Sequence, residues 1–128
     1  MKITKEKYEA VIKNEWLITN GIGGFASSTI SGCNTRKYHG LIVASLGKSG
    51  ERYLCLSKLN ESLIIRGSEH SFSTNECNNF IEKGYSYQTE FSKVFLPKFT
   101  YSVKNIQIEK TLAMKYGENK IGITYKIK

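Results

Sequence analysis

Apolar and polar residues alternate through the last third of the chain. Phe99, Tyr101 and Val103 share one parity, followed by Ile106 and Ile108, and then by Ile121, Ile123, Tyr125 and Ile127. A period of two, filled with β-branched and aromatic residues, predicts half-buried antiparallel strands. Lys104-Asn105 and Gly117-Glu118-Asn119 are the turn-forming residues between them. The strand pattern begins earlier, at Trp16, and Phe25 to Ile30 continues it. Leu41-Ile42-Val43-Ala44 is a short apolar run that fits a buried strand, ended by Gly47-Lys48-Ser49-Gly50. Arg52 to Leu56 starts another strand, and Ser62 to Arg66 leads to a turn at Gly67-Ser68. The single proline, Pro97, is expected at a strand edge or bend. Ahead of Trp16 the period changes. Tyr8, Val11 and Ile12 fall on one side of a short helix over Lys5 to Asn14, with Thr4 as its cap.

These elements predict an all-β domain of two packed antiparallel sheets, a β-sandwich with a short N-terminal helix. No repeat, low-complexity tract or linker interrupts it. The alternation stops at Ile127-Lys128 without a closing turn. Residues 1–128 are therefore expected to form either a single β-sandwich domain or the truncated N-terminal part of a longer protein. In the second case the strand from Ile121 to Lys128 presents an unpaired edge, and a homodimer through that edge is expected.

Composition narrows the class. The chain has 128 residues, 40% hydrophobic and 23% charged, which is ordinary for one globular domain. No apolar run approaches the roughly 18 residues that a membrane span needs. The first residues, MKITKEKYEAVIKNE, lack an apolar signal-peptide core, so a cytoplasmic chain is expected. Cys33, Cys55 and Cys77 form no C-x-x-C pair, and read as buried free thiols in a reducing compartment. The net charge is +8, yet only Arg36, Arg52 and Arg66 are arginine. The lysines are scattered from Lys2 to Lys128, whereas nucleic-acid binders concentrate charge on one stripe. Most therefore read as solvated surface. Polyanion binding stays as a minor reading, and it predicts affinity that falls steeply with salt. All eleven acidic residues are glutamate, so any carboxylate chemistry must use Glu.

The chemistry concentrates between Trp16 and Leu41. Gly21-Ile22-Gly23-Gly24 reads as a tight turn that needs positive φ. Ten residues later comes Asn34-Thr35-Arg36-Lys37-Tyr38-His39-Gly40. Gly21 to Ala26 matches the letters of a dinucleotide fingerprint, but that motif must open a helix and precede an acidic residue. Here strand follows, and no acidic residue lies between Glu15 and Glu51. Gly47-Lys48-Ser49 mimics the end of a P-loop, but position 42 is Ile, so it reads as a surface turn. Taken singly, His39 and Trp16 are the sort of residues that a core absorbs. As a cluster they offer more. Arg36 supplies a rigid fork of donors, Tyr38 and Trp16 supply ring faces, and Asn20, Asn34, Thr35 and His39 supply polar groups for hydroxyl recognition. No catalytic residue is assigned. Glycoside hydrolysis needs two carboxyl groups about 5 to 9.5 Å apart. Glu15, Glu51 and Glu61 are the nearest acids in sequence, and they read as surface or ion-paired. One His in the motif makes no zinc site, and no metal or cofactor is expected.

Three stretches carry a resemblance. They are Glu15-Trp16-Leu17-Ile18-Thr19-Asn20-Gly21-Ile22-Gly23-Gly24-Phe25-Ala26-Ser27, then Asn34 to Leu41, then Leu56-Ser57-Lys58-Leu59-Asn60-Glu61. Together they resemble the N-terminal domain of bacterial and archaeal glycogen debranching enzymes. Glu109-Lys110-Thr111 and Tyr116-Gly117-Glu118-Asn119 look like the same domain further along. Phe25 stands where tyrosine is expected and Lys37 where arginine is common; both keep the chemical type. The resemblance implies a supersandwich-like β-sandwich ahead of an (α/α) toroidal catalytic domain, with amylo-α-1,6-glucosidase as the parent activity. This chain has no toroid, where the catalytic carboxylates are expected. What the resemblance implies here is a supporting role. In it, Trp16, Asn20, Asn34, Thr35, Arg36, Tyr38 and His39 contact α-glucan or the catalytic domain, and Gly21, Gly23, Gly24 and Gly40 shape the turns. An interaction module without sugar binding is the alternative.

Overall fold

The computed structural model describes residues 8–128. Helix α1 (Tyr8–Lys13) leads into a sheet of β1 (Glu15–Thr19), β2 (Phe25–Thr29), β3 (Gly40–Leu46) and β4 (Glu51–Leu56), in that spatial order. Two hairpins follow, β5 (Ser62–Ile65) with β6 (Ser68–Ser71) and β7 (Thr74–Cys77) with β8 (Phe80–Lys83). A 3-10 turn at Gly84–Tyr87 then delivers the chain to β9 (Gln88–Lys93), β10 (Pro97–Val103), β11 (Ile106–Met114) and β12 (Ile121–Ile127). These four form the second sheet, in the order β12-β11-β10-β9. Every pairing is antiparallel. The all-β prediction holds, with one short helix.

Alternation sorts the side chains, and the two sheets share one core. In β1, Trp16 and Ile18 point inward while Glu15, Leu17 and Thr19 point out. Trp16, Ile18, Ala26 and Leu41 of the first sheet meet Phe91, Phe99, Tyr101, Val103, Ile108 and Leu112 of the second. The Trp16 ring stands edge-on to Phe99, with centroids 6.0 Å apart, and its Nε1–H donates to Thr29 O at 3.1 Å. Burying apolar area of this kind is the main stabilising term.

Two polar ties also hold the second sheet to earlier parts of the chain. Asn20 is fully buried at the end of β1. Its Oδ1 accepts from the N–H of Ile22 and of Gly24, at 3.1 and 2.9 Å. Its Nδ2 donates to Glu118 O and Asn119 Oδ1, at 3.1 and 2.9 Å. The β1–β2 turn is thereby held to the β11–β12 turn. In the second tie, Glu61 Oε1 lies 2.5 Å from Lys110 Nζ and accepts a short hydrogen bond from the Tyr125 hydroxyl. Burial and that Glu61 bond push the Tyr125 phenol well above the ordinary tyrosine range.

Several expectations need correction. The expected helix is present over Tyr8–Lys13 and stops one residue before Asn14, while Thr4 to Lys7 lie outside the described residues. The turn after β5 is Arg66-Gly67 rather than Gly67-Ser68. Both turn residues have positive φ, 48° and 79°, as a two-residue hairpin loop requires, so Ser68 already opens β6. Cys33 is buried, but Cys55 and Cys77 are exposed. The reason is position: β4 is an edge strand with little covering it, and β7–β8 is an isolated hairpin. Not every lysine is solvated. Lys110 is buried beside Phe99, and burial lowers the pKa of Lys58, which donates to Thr74 O and Asn75 Oδ1.

Candidate functional site

The outward face of the first sheet carries a wide groove of about 910 Å³. Its floor comes from strand alternation. Leu17 pairs with Ser27 and Thr19 with Phe25, and all four line the groove. One wall is the Arg36-Lys37-Tyr38-His39 segment, and the Gly21–Gly24 turn closes one end. Arg52 of β4 reaches across with its Nε donating to Gly23 O at 3.2 Å, and its guanidinium lies 5.9 Å from the centre of the Phe25 ring. Phe25, Tyr38 and Arg52 also border a neighbouring depression with Glu51 and Tyr53.

The wall is organised by a three-residue cluster of Glu15, Arg36 and His39. Arg36 Nη2 contacts Glu15 Oε2 at 2.8 Å. His39 Nε2 lies 3.3 Å from Glu15 Oε1, within ion-pair range but not aligned as a good hydrogen bond. On its other side the imidazole accepts: Thr35 N–H donates to Nδ1 at 2.9 Å. A ring whose Nδ1 accepts carries its proton on Nε2, facing Glu15. The His39 N–H donates to Arg36 O at 3.0 Å, closing a tight turn. The imidazole therefore fixes the loop from within, while Arg36 and Tyr38 stand in solvent. Tyr38 is 46% exposed, with Lys37 Nζ 5.3 Å from its ring centre.

Burial holds the His39 pKa below the ordinary histidine range; Glu15 opposes the shift and Arg36 adds to it. The unfolded chain therefore takes up the proton more readily than the fold does. The stability tied to neutral His39 is complete above about pH 6.5 and is lost as the pH falls from there toward the depressed folded value. A proton added at Nδ1 would also face the Thr35 N–H, donor against donor. In urea unfolding, wild type should lose stability as the pH falls below about 6.5, and His39→Asn should lose less on the same descent. Parallel curves would contradict this.

Of the other residues singled out in the sequence, Trp16 only backs the groove from the core, and Asn20, Asn34 and Thr35 lie outside it. Trp16 is 4% exposed, with both ring and N–H engaged in the core. The Asn20 amide is used up in four hydrogen bonds inside the protein. Asn34 turns away from the groove. Its Oδ1 accepts from Ser28 Oγ at 2.7 Å, and its Nδ2 donates to Ser57 O at 3.1 Å. Those contacts clamp the loop to β2 and to the segment after β4. Thr35 is exposed beside His39. The glycines explain themselves by space as well as by conformation. Gly21 has φ +80°, and a Cβ there would collide with the Tyr116 ring. At Gly40 the backbone is unstrained, but a Cβ would strike Leu54 Cδ1.

Sequence reasoning missed Glu15 and Arg52 as members of the site. A signal existed for both. Glu15 has the outward parity of Leu17, and Arg52 is one of only three arginines. Their partners lie 21 and 29 positions away, a separation that local pattern does not encode.

Chemically, the groove offers a cationic rim, exposed aromatic and aliphatic faces, and one carboxylate among its described lining residues, already paired with Arg36. Among the described residues, no His, Cys, Asp or Glu side chains gather as a metal site. No helix there is long and apolar enough to cross a membrane.

Comparison with known proteins adds one finding. The family described as "Glycogen debranching enzyme N terminal" matches residues 14–128. No curated protein and no solved structure gives a significant match. The match takes in both sheets, both hairpins and every residue of the groove. The chain belongs to the family of N-terminal domains of glycogen debranching enzymes.

Proposed function

We propose that this domain is the non-catalytic N-terminal β-sandwich of a glycogen-debranching glycoside hydrolase, an amylo-α-1,6-glucosidase. In this reading it supports an (α/α) toroidal catalytic domain and offers its outer-face groove to α-glucan. The observation that carries it is the groove itself. Tyr38, Phe25 and Leu17 present apolar faces of the kind that sugar C–H surfaces cover. Arg36, Lys37 and Arg52 hold donors beside them. The one carboxylate among the described lining residues is engaged by Arg36, and two free carboxyl groups are what hydrolysis would need. The exposed free thiols of Cys55 and Cys77 support a reducing, cytoplasmic setting.

Two measurements test this. The chain alone should release no glucose from a branched dextrin; hydrolysis that disappears on one Glu→Gln change would overturn the non-catalytic role. In the assembled enzyme, Arg36→Ala combined with Tyr38→Ala should raise KM for a branched dextrin about tenfold and leave kcat unchanged. That change corresponds to about 1.4 kcal/mol of binding.

A second reading keeps the support role and removes the sugar. The excess of cations over carboxylates in the groove favours it, because a protein surface rich in Glu or Asp would satisfy Arg52 and Lys37 better than a neutral glucan would. It predicts that Arg36→Ala abolishes binding of a separately supplied catalytic domain, and that glucan leaves the chain's spectra unchanged.

A further inference from the structure

The end of the sandwich that carries the β1–β2 turn also exposes apolar side chains that the fold leaves unused. Ile22 lies in that turn and Leu46 at the end of β3. Val94, Phe95 and Leu96 form the β9–β10 tip, and Tyr116 lies in the β11–β12 turn. Val94 is 82% exposed, Phe95 85% and Tyr116 84%. The backbone brings these turns to one end. Gly117 N–H donates to Asn20 O at 2.7 Å, and the Tyr116 ring lies against Gly21. Gly23 sits so close to Ser45 that an added Cβ would crowd it, which sets Leu46 beside the same turn. In the second sheet Lys98 pairs with Thr111 and Pro97 with Lys93. The Val94–Leu96 tip therefore lies at the end that β11 reaches at Met114.

Turn tips normally use Gly, Asn, Asp or Ser. Three consecutive exposed apolar residues at a tip stabilise nothing within this domain, and such runs mark contact surfaces. The surroundings lean cationic. Lys48, Lys93, Lys115 and Lys120 stand in or beside these turns, against Glu51 and Glu118. Glu118 is shared between Lys115 and Lys120, at 2.6 and 3.0 Å.

We propose that this turn end is the docking surface for the catalytic domain of the same enzyme, which meets it with an apolar patch fringed by carboxylates. The inference rests on the reading of the domain as a non-catalytic support. Two observations select this occupant over a second copy of the chain. A two-fold self-contact would set the lysine collar against itself. The family match identifies the chain as the N-terminal portion of a larger enzyme. The same Gly21–Gly24 turn closes the groove, so docking here leaves the groove open and brings its end to the domain boundary.

The test is calorimetric titration of the chain with the separately produced catalytic domain. Phe95→Ser, and Val94→Ser with Phe95→Ser, should weaken binding roughly tenfold or more. Their unfolding midpoints should match wild type, because both side chains sit in solvent. Ile64→Ser, at an exposed position on the β5–β6 hairpin, should leave affinity unchanged. Wild-type affinity in the double variant would overturn the docking surface while leaving the support role intact. No binding by the wild-type chain would overturn both. If the double variant instead converts a dimer of the isolated chain to monomer and binds the catalytic domain normally, the occupant is a second copy and the proposal fails.

Discussion

Asn20→Ala should destabilise the domain by about 3–4 kcal/mol, and lower its melting temperature by more than about 10 °C. The side chain is fully buried and makes four hydrogen bonds. Alanine would leave the Gly24 N–H without its acceptor inside the protein, and an unsatisfied buried polar group costs about 1–3 kcal/mol. It would also remove both side-chain bonds that tie the β11–β12 turn to the β1–β2 turn, between residues 98 and 99 positions apart, leaving only the backbone bond from Gly117 N–H to Asn20 O. The total is a large share of the 5–15 kcal/mol typical of a whole domain. Asn119→Ala removes only one of the four bonds and should cost about 1 kcal/mol. Equal losses from the two variants in urea unfolding would show that the turn does not depend on Asn20.

The second large effect belongs to Glu61. Its carboxylate meets Lys110 Nζ at 2.5 Å and the Tyr125 hydroxyl, and both charged side chains are mostly shielded from solvent. Removing one member of a buried pair leaves the other charge uncompensated, at a cost of about 3–5 kcal/mol. Glu61→Ala should therefore lose about that much stability. Here the uncompensated group is the Lys110 ammonium, packed over Phe99 with its nitrogen 5.9 Å from the ring centre. The double change Glu61→Gln with Lys110→Met should recover most of the loss, since replacing a whole buried pair is often close to neutral. If the double variant is no more stable than Glu61→Ala, the pair is not the source of the effect.

These two sites show how far local pattern reaches. Parity along β10, β11 and β12 was legible because Ile, Val, Tyr and Phe recur every second residue there. The same parity placed Lys110 between Ile108 and Leu112, so its burial was readable, but its partner Glu61 was not. Residues 69–93 gave no strand reading. The strands SEHS and TNEC hold little apolar alternation and form small, exposed hairpins. In the Asn34–Gly40 segment the clustering was visible but the sorting was not. The loop is irregular, so no period dictates which side chains face in. Asn34 and His39 serve the loop from inside, and Arg36 and Tyr38 face the groove. Asn20 looked like a ligand-binding amide because nothing near it in sequence reveals the turn that saturates it.

The His39 behaviour follows from the same geometry. Its ring is a brace between Thr35 and Glu15, so acid should loosen the wall that holds Arg36 and Tyr38 before it unfolds the sandwich. Groove and brace then respond together, and glucan contact should weaken as the pH falls below the ordinary histidine range.

The most direct test of the central claim is a residue-resolved NMR titration of the chain with maltoheptaose. Shifts should gather at Phe25, Arg36, Tyr38 and Arg52, and should be strongly reduced in Tyr38→Ala. A spectrum that stays unchanged under a large excess of sugar, or shifts confined to the β5–β8 hairpins, would contradict it.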